Sequence, residues 1–209
     1  MAMGDNKEFW NRYSGIYDFV MNWSSKKAYE EMYHLMSEVL KADMRVLEVA
    51  TGTGLIALGI AKFVRQVEAT DFSSKMIETA KKKAAPSNVT FSIEDATALS
   101  FAKDSFDAVI ISNALHIIPD PVAALVNIHR VLKPGGLLIA PTFSHGHLEN
   151  SDRNLKAKIL KLLGFETYSK WTPEEYIGFI EKNGFAVRRQ KVLSAAFPLI
   201  YLESTALFP

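Results

Sequence analysis

No cysteine occurs anywhere in this chain of 209 residues. That excludes a disulfide framework, a thiolate zinc site and a cysteine nucleophile, and it suits a reducing compartment. A surplus of charge is also missing. Lys and Arg total 24 against 23 Asp and Glu, a net charge of +1, so no global field draws the chain to nucleic acid. No apolar run approaches the length of a membrane-spanning helix. The start, MAMGDNKEFW, carries acids and no apolar core, so it does not read as a secretory signal, and a cytoplasmic location is expected. Repeats and low-complexity segments are absent. What remains is ordinary for a globular domain: 48% hydrophobic and 22% charged residues. The length suits one α/β domain over 1–209 with short appendages.

The chain is organised around Arg45 to Leu58, RVLEVATGTGLIAL. Val46, Leu47 and Val49 make a short apolar run of buried-strand type. Thr51-Gly52-Thr53-Gly54 breaks it, and Leu55 to Ala61 resumes as a buried helix. Glycine has no Cβ, so such a turn tolerates positive φ and lets a ligand approach the main chain. The helix start beyond it offers unpaired N–H groups. Gly52-Thr53-Gly54-Leu55-Ile56-Ala57 formally fits the dinucleotide pattern G-x-G-x-x-A, which leaves a nicotinamide-dependent oxidoreductase as one reading. Glu48, an acid inside the strand, argues the other way. It would repel a pyrophosphate and suit a cofactor end bearing an ammonium and a sulfonium.

The run Glu48-Val49-Ala50-Thr51-Gly52-Thr53-Gly54 resembles motif I of the class I S-adenosylmethionine-dependent methyltransferases, with Ala50 where the first glycine is expected. Further motifs follow in the family's order. Gln66 to Asp71 reads as a second strand ending in an acid about 20 residues past the glycine turn, the place for a ribose-binding carboxylate. Phe72 and Met76 would border the adenine, and Ser73 or Ser74 would cap the helix Lys75 to Lys83. Val89 to Ile93 alternates as a strand, and Asp95-Ala96 after it resembles the motif that accepts from the adenine amino group. Ala108 to Ser112 is the next strand. Asn113-Ala114-Leu115-His116 follows, where Asn113 and Leu115 should border the methionine part. A helix from Pro121 to Leu132 then meets Lys133-Pro134-Gly135-Gly136, read as a helix stop in which Gly supplies the C-cap.

The resemblance implies a three-layer Rossmann-like fold. Its sheet has seven mostly parallel strands in the order 3-2-1-4-5-7-6, the last antiparallel, with helices on both faces. Residues 1–44 would form a helical cap or lid, whose helical face carries Met32, Leu35, Met36, Val39 and Leu40. Residues 143–171 would form a variable substrate-lid insertion. Thr172-Pro173-Glu174-Glu175 reads as a capped helix start, with two closing strands beyond it over Phe185 to Leu193 and Phe197 to Ala206.

The implied activity is methyl transfer from S-adenosylmethionine, releasing S-adenosylhomocysteine. The acceptor would be a small molecule or lipid head group reacting at N, O or C. Cofactor contacts are expected from Glu48, Val49, Ala50, Gly52, Gly54, Asp71, Phe72, Met76, Asp95, Ala96, Asn113 and Leu115. Trp10-x-x-Tyr13-x-x-x-Tyr17-Asp18 resembles the phospholipid and quinone methyltransferases of this superfamily, placing Tyr13 and Tyr17 at the acceptor. His116 reads equally as a general base or hydrogen-bond donor there and as a structural histidine at a helix start. A target amide or adenine motif of N-P-P-Y type is absent, and the missing cysteine excludes cytosine-C5 chemistry. His145 and His147 flank Gly146 without a carboxylate or cysteine at ligand spacing, so no metal site is expected. The basic, amphipathic stretch Leu155 to Leu163 reads as a solvated face, a substrate lid or a surface for peripheral membrane contact. A monomer and a homodimer both fit. A protein that binds the cofactor and transfers nothing remains the second alternative.

Overall fold

The computed structural model describes residues 4–15, 17–143, 167–194 and 199–208, without the side chains of 4–6 and 17–25. The chain begins with two helices, α1 (Gly4–Tyr13) and α2 (Tyr17–Val39). Five parallel strands follow: β1 (Arg45–Val49), β2 (Gln66–Asp71), β3 (Val89–Ile93), β4 (Phe106–Ile111) and β5 (Leu132–Ile139). Helices α3 (Leu55–Ile60), α4 (Ser74–Lys81) and α5 (Pro121–Val131) lie between them. A two-residue strand β6 (Thr142–Phe143), helix α6 (Pro173–Lys182), β7 (Phe185–Leu193) and β8 (Leu199–Ala206) complete the described chain.

The sheet order is β3-β2-β1-β4-β5-β8-β6, with β7 on the other side of β8. β8 runs antiparallel to β5, β6 and β7. β5 and β6 occupy one line along β8, interrupted at Ala140-Pro141, and Ala140 N–H still donates to Leu202 O. Proline has no N–H to give a ladder, so the line breaks there. Counting β5 with β6 as one position recovers the expected seven-position sheet, with the last strand antiparallel.

Strand alternation sorts the core into two layers. Val46, Val67, Ala69 and Ile110 pack with Met32, Leu35 and Met36 of α2 and with Ile56, Ile60 and Ile77. Leu47, Val49, Val109 and Ile111 pack on the opposite face with Leu125 and Ile128 of α5 and Tyr176 and Ile180 of α6. Burying the Val, Leu, Ile and Met side chains among them stabilises the fold by roughly 1.5–3 kcal/mol each. The expected face of α2 is buried, with Val39 packed at its edge.

Local chemistry sets the helix starts. Ser73 Oγ accepts from Met76 N–H at α4, and Asp120 Oδ1 accepts from Ala123 N–H at α5, with Pro121 in the first turn. Thr172 and Glu175 form a reciprocal capping box at α6. The stop of α5 differs from expectation. The helix ends on Leu132, already extended at φ −72° and ψ 140°, and no glycine caps it. Lys133-Pro134-Gly135-Gly136 instead lies inside β5 as a bulge: Phe106 pairs with Leu132, but Ala108 pairs with Leu137. Lys133 Nζ then reaches back to Asp107 Oδ1 at 2.6 Å.

Candidate cofactor site

A cavity of about 360 Å³ opens at the carboxyl ends of β1, β2, β3 and β4. β1 and its turn contribute Val49, Ala50 and Gly52. The end of β2 and α4 contribute Asp71, Phe72, Ser73 and Met76. The end of β3 contributes Glu94, Asp95, Ala96 and Thr97. Ser112, Asn113 and Ala114 form the floor beyond β4. Nine of the twelve cofactor-contact candidates named from the sequence therefore lie on one wall.

Three do not. Glu48 points to the α2–α3 face by strand alternation, opposite to Val49. Its carboxyl is buried, and Thr51 Oγ1 donates to its Oε2 at 2.6 Å. Gly54 serves packing: its φ is +80°, and a Cβ there would sit 2.7 Å from Phe91 Cε1. Leu115 is buried in the core layer shared with α5.

The acids are held in distinct ways. Asp71 is half-buried, and its Oδ2 and Oδ1 accept from Gly52 N–H and Ser73 N–H, each at 2.8 Å. Burial raises its pKa, and those two N–H groups oppose the rise. Asp95 takes both Thr97 N–H and Thr97 Oγ1 on its Oδ1, at 2.8 and 2.7 Å. Asn113 adopts a left-handed φ of 53° and gives its own N–H to Pro141 O. Its amide Nδ2 and Oδ1 are buried and have no hydrogen-bond partner among the described residues. An orphaned amide of this kind costs about 1–3 kcal/mol unless something enters and pairs with it.

Two of the acceptor-side candidates, His116 and Tyr13, are not on this wall. His116 is buried in the 3-10 turn Leu115–Ile117, with its Nδ1 3.1 Å from Thr142 Oγ1. Its carbonyl accepts from Tyr168 N–H and Ser169 N–H, which brings Tyr168 to the cavity rim. Tyr13 packs half-buried against Phe9, ring centroids 4.6 Å apart. The Tyr17 side chain, His145, His147 and the stretch 155–163 lie outside the described residues.

The sequence reading passed over Lys7, whose ammonium lies 4.3 Å from the Phe72 ring centroid. Trp10 joins it on the cavity wall, and Ser73 Oγ donates to Asn11 Oδ1 at 2.6 Å to tie α1 down. Lys7, Trp10 and Asn11 share one helical face, a spacing that could have singled them out. Ile117, Ile118, Pro119 and Ala123 supply an apolar side that only tertiary contact assembles.

Residues 47–140 match the family model described as a methyltransferase domain. That span carries β1 through β5 and most of the cavity wall. The chain belongs to the class I S-adenosylmethionine-dependent methyltransferases. A demethylmenaquinone methyltransferase of Renibacterium salmoninarum is 45% identical to this chain over 101 residues, 48% of this chain and 42% of that protein. The ubiquinone/menaquinone biosynthesis C-methyltransferase UbiE of Geotalea daltonii is 32% identical over 155 residues, 68% of this chain and 66% of that protein. The chain thus spans less than half the length of several curated relatives it matches. Among solved structures, a Haloferax volcanii putative methyltransferase, in complex with the Trm112 methyltransferase activator, superposes with a TM-score of 0.78 at 18% identity, covering 95% of this chain and 98% of that one. An S-adenosylmethionine-dependent methyltransferase of Thermotoga maritima reaches 0.74 at 20% identity, covering 95% of this chain and 99% of that one. At those identities the superpositions show the fold.

The cofactor of this methyltransferase family is S-adenosylmethionine. The wall suits it: two carboxylates for hydroxyl and amine donors, apolar surface for a base, and an orphaned amide that can pair with an amino-acid end.

Proposed function

We propose that the protein transfers a methyl group from S-adenosylmethionine to a ring carbon of a reduced quinone-type acceptor. The observation that carries the cofactor half is the orphaned Asn113 amide, set in one cavity with the Asp71 and Asp95 carboxylates. In this reading Asp71 accepts from the ribose hydroxyls while keeping its bonds to Gly52 and Ser73. Asp95 accepts from the adenine amine through Oδ2, since both bonds recorded for it within the protein fall on Oδ1. Phe72, Met76, Ala96 and Val49 enclose the apolar rings. Asn113 and the Ala50 turn take the methionine end. The acceptor half rests on the names of the relatives.

Bound S-adenosylmethionine supplies a methyl already activated on a sulfonium, so the protein's work is alignment and exclusion of water. The apolar wing of Ile117, Ile118, Pro119 and Ala123, with Trp10 across the cavity, would keep the acceptor ring dry. Carbon methylation forms a C–CH3 bond, turns the sulfonium into a thioether and finally expels the ring carbon's proton. A phenolate makes that carbon nucleophilic. Tyr13 and Tyr17 from the 1–44 cap, and His116 through the 143–171 segment, are the proposed acceptor-side groups. Buried against Thr142, His116 acts in this reading by positioning the Tyr168 segment.

Incubation with S-adenosylmethionine and a reduced, demethylated naphthoquinol, read by mass spectrometry, tests the reading. A product heavier by one CH2 at carbon supports it. Methylation of phosphatidylethanolamine in its place would move the acceptor to a lipid amine. Binding of NAD without S-adenosylhomocysteine would overturn the cofactor assignment.

A further inference from the structure

A second cavity, of about 20 Å³, adjoins the first and lies between Glu48, Thr51, Tyr29 and Ser112. Ala50 and Ser112 border both cavities, so one residue layer separates the Glu48 carboxyl from the methionine end of the larger one. The space has room for one water. Ser112 Oγ, on that shared wall, is buried without a hydrogen-bond partner among the described residues. Glu48 is only 2% exposed, and among the described residues no ion pair holds it. Its neighbours in register on β2 and β4 are Ala69 and Ile110. Thr51 Oγ1 and the Ala57 N–H are its hydrogen-bond donors, from the turn and α3. The charged groups acting on it are Asp71, which disfavours its ionisation, and Lys83, which favours it while bonding Thr53 O at 2.6 Å. Tyr29 faces it from α2. An unpaired carboxyl buried in this way is held as the neutral acid.

We infer that Glu48 is a proton-releasing counter-ion: it gives up its proton when a ligand ammonium enters beside the Ala50–Ser112 wall, so that cofactor binding at neutral pH is coupled to proton release. The inference rests on the cofactor reading above. With the site empty, burial pushes the Glu48 pKa up to about 8. A cation within a few ångströms lowers a carboxyl by about 1–3 units. Release is therefore greatest between the two values, and affinity rises with pH across that window.

The test is calorimetric titration at pH 7 with S-adenosylhomocysteine in phosphate and in Tris buffer, whose ionisation enthalpies differ. The expected result is release of about 0.5–1 proton per site. Two controls should release about none: titration of the wild type with 5′-methylthioadenosine, which lacks the ammonium, and titration of Glu48→Gln with S-adenosylhomocysteine. A pH series from 6 to 8 on the wild type needs no variant. Its association constant should rise by up to about tenfold per unit, opposite in sign to proton uptake by the ligand's own amine. Binding with no release, or equal release by Glu48→Gln, overturns the inference and leaves the cofactor assignment standing. Failure to bind S-adenosylhomocysteine at all overturns both.

Discussion

Gly54→Ala separates two roles that a glycine-rich turn can have. The residue stands at φ +80°, a conformation that disfavours any Cβ by about 1–2 kcal/mol. The new methyl would also meet the Phe91 ring at 2.7 and 2.8 Å. Phe91 is buried in the α2-side core, so it can yield only by repacking, at about 1–3 kcal/mol. Reduced freedom of the unfolded chain returns about 0.4–1 kcal/mol. The net loss should be about 2–4 kcal/mol, a large share of a domain's usual 5–15. Urea denaturation reads it as a lower midpoint at unchanged slope. Phe91→Leu in the same chain should recover about 1–2 kcal/mol of the loss, because the two positions are coupled. Affinity of the folded variant for S-adenosylhomocysteine should change little, since Gly54 is off the cavity wall. A loss below about 1 kcal/mol, or strict additivity with Phe91→Leu, would refute the packing argument.

Ala50 carries the opposite strain, a Cβ at φ 57°, so Ala50→Gly should raise stability by about 0.5–1 kcal/mol in the same urea assay. Asp71→Ala should weaken S-adenosylhomocysteine binding on the order of 100-fold by calorimetry, through two lost charge-assisted bonds; unaltered affinity would mean the ribose lies elsewhere. Glu48 has its pKa raised in the folded state from 4.5 to about 8, so its contribution to stability is fully present below pH 4.5 and is lost as pH rises through 8. Thermal melts of the ligand-free protein should therefore show Glu48→Gln gaining on the wild type between pH 6 and 9, by on the order of 2 kcal/mol once the site relaxes. A constant difference across that range would place the titration elsewhere.

The order of elements was legible in the sequence because each rests on local chemistry. An apolar run, a glycine turn and a helix start lie within fourteen residues from Arg45 to Leu58. Acids at the ends of β2 and β3 could be counted from that turn, capping residues marked α4 and α6, and Pro121 marked the start of α5. Alternation and helical periodicity depend only on neighbours along the chain, which is why the elements could be placed from them, while the seven-position sheet order and most of the cavity wall followed from the resemblance of the motifs to the methyltransferase family. The Lys133-Pro-Gly-Gly stretch was misread because turn residues look alike in a helix stop and in a strand bulge. Only pairing with β4 tells them apart. Tertiary structure alone decided the rest, through pairs far apart in sequence: Gly54 under Phe91, His116 against Thr142, and Asn11 on Ser73. Those contacts set Gly54 into the core, bury His116 and bring Lys7 and Trp10 onto the wall. Which side chain meets which depends on the docking of whole elements, and no local pattern encodes that.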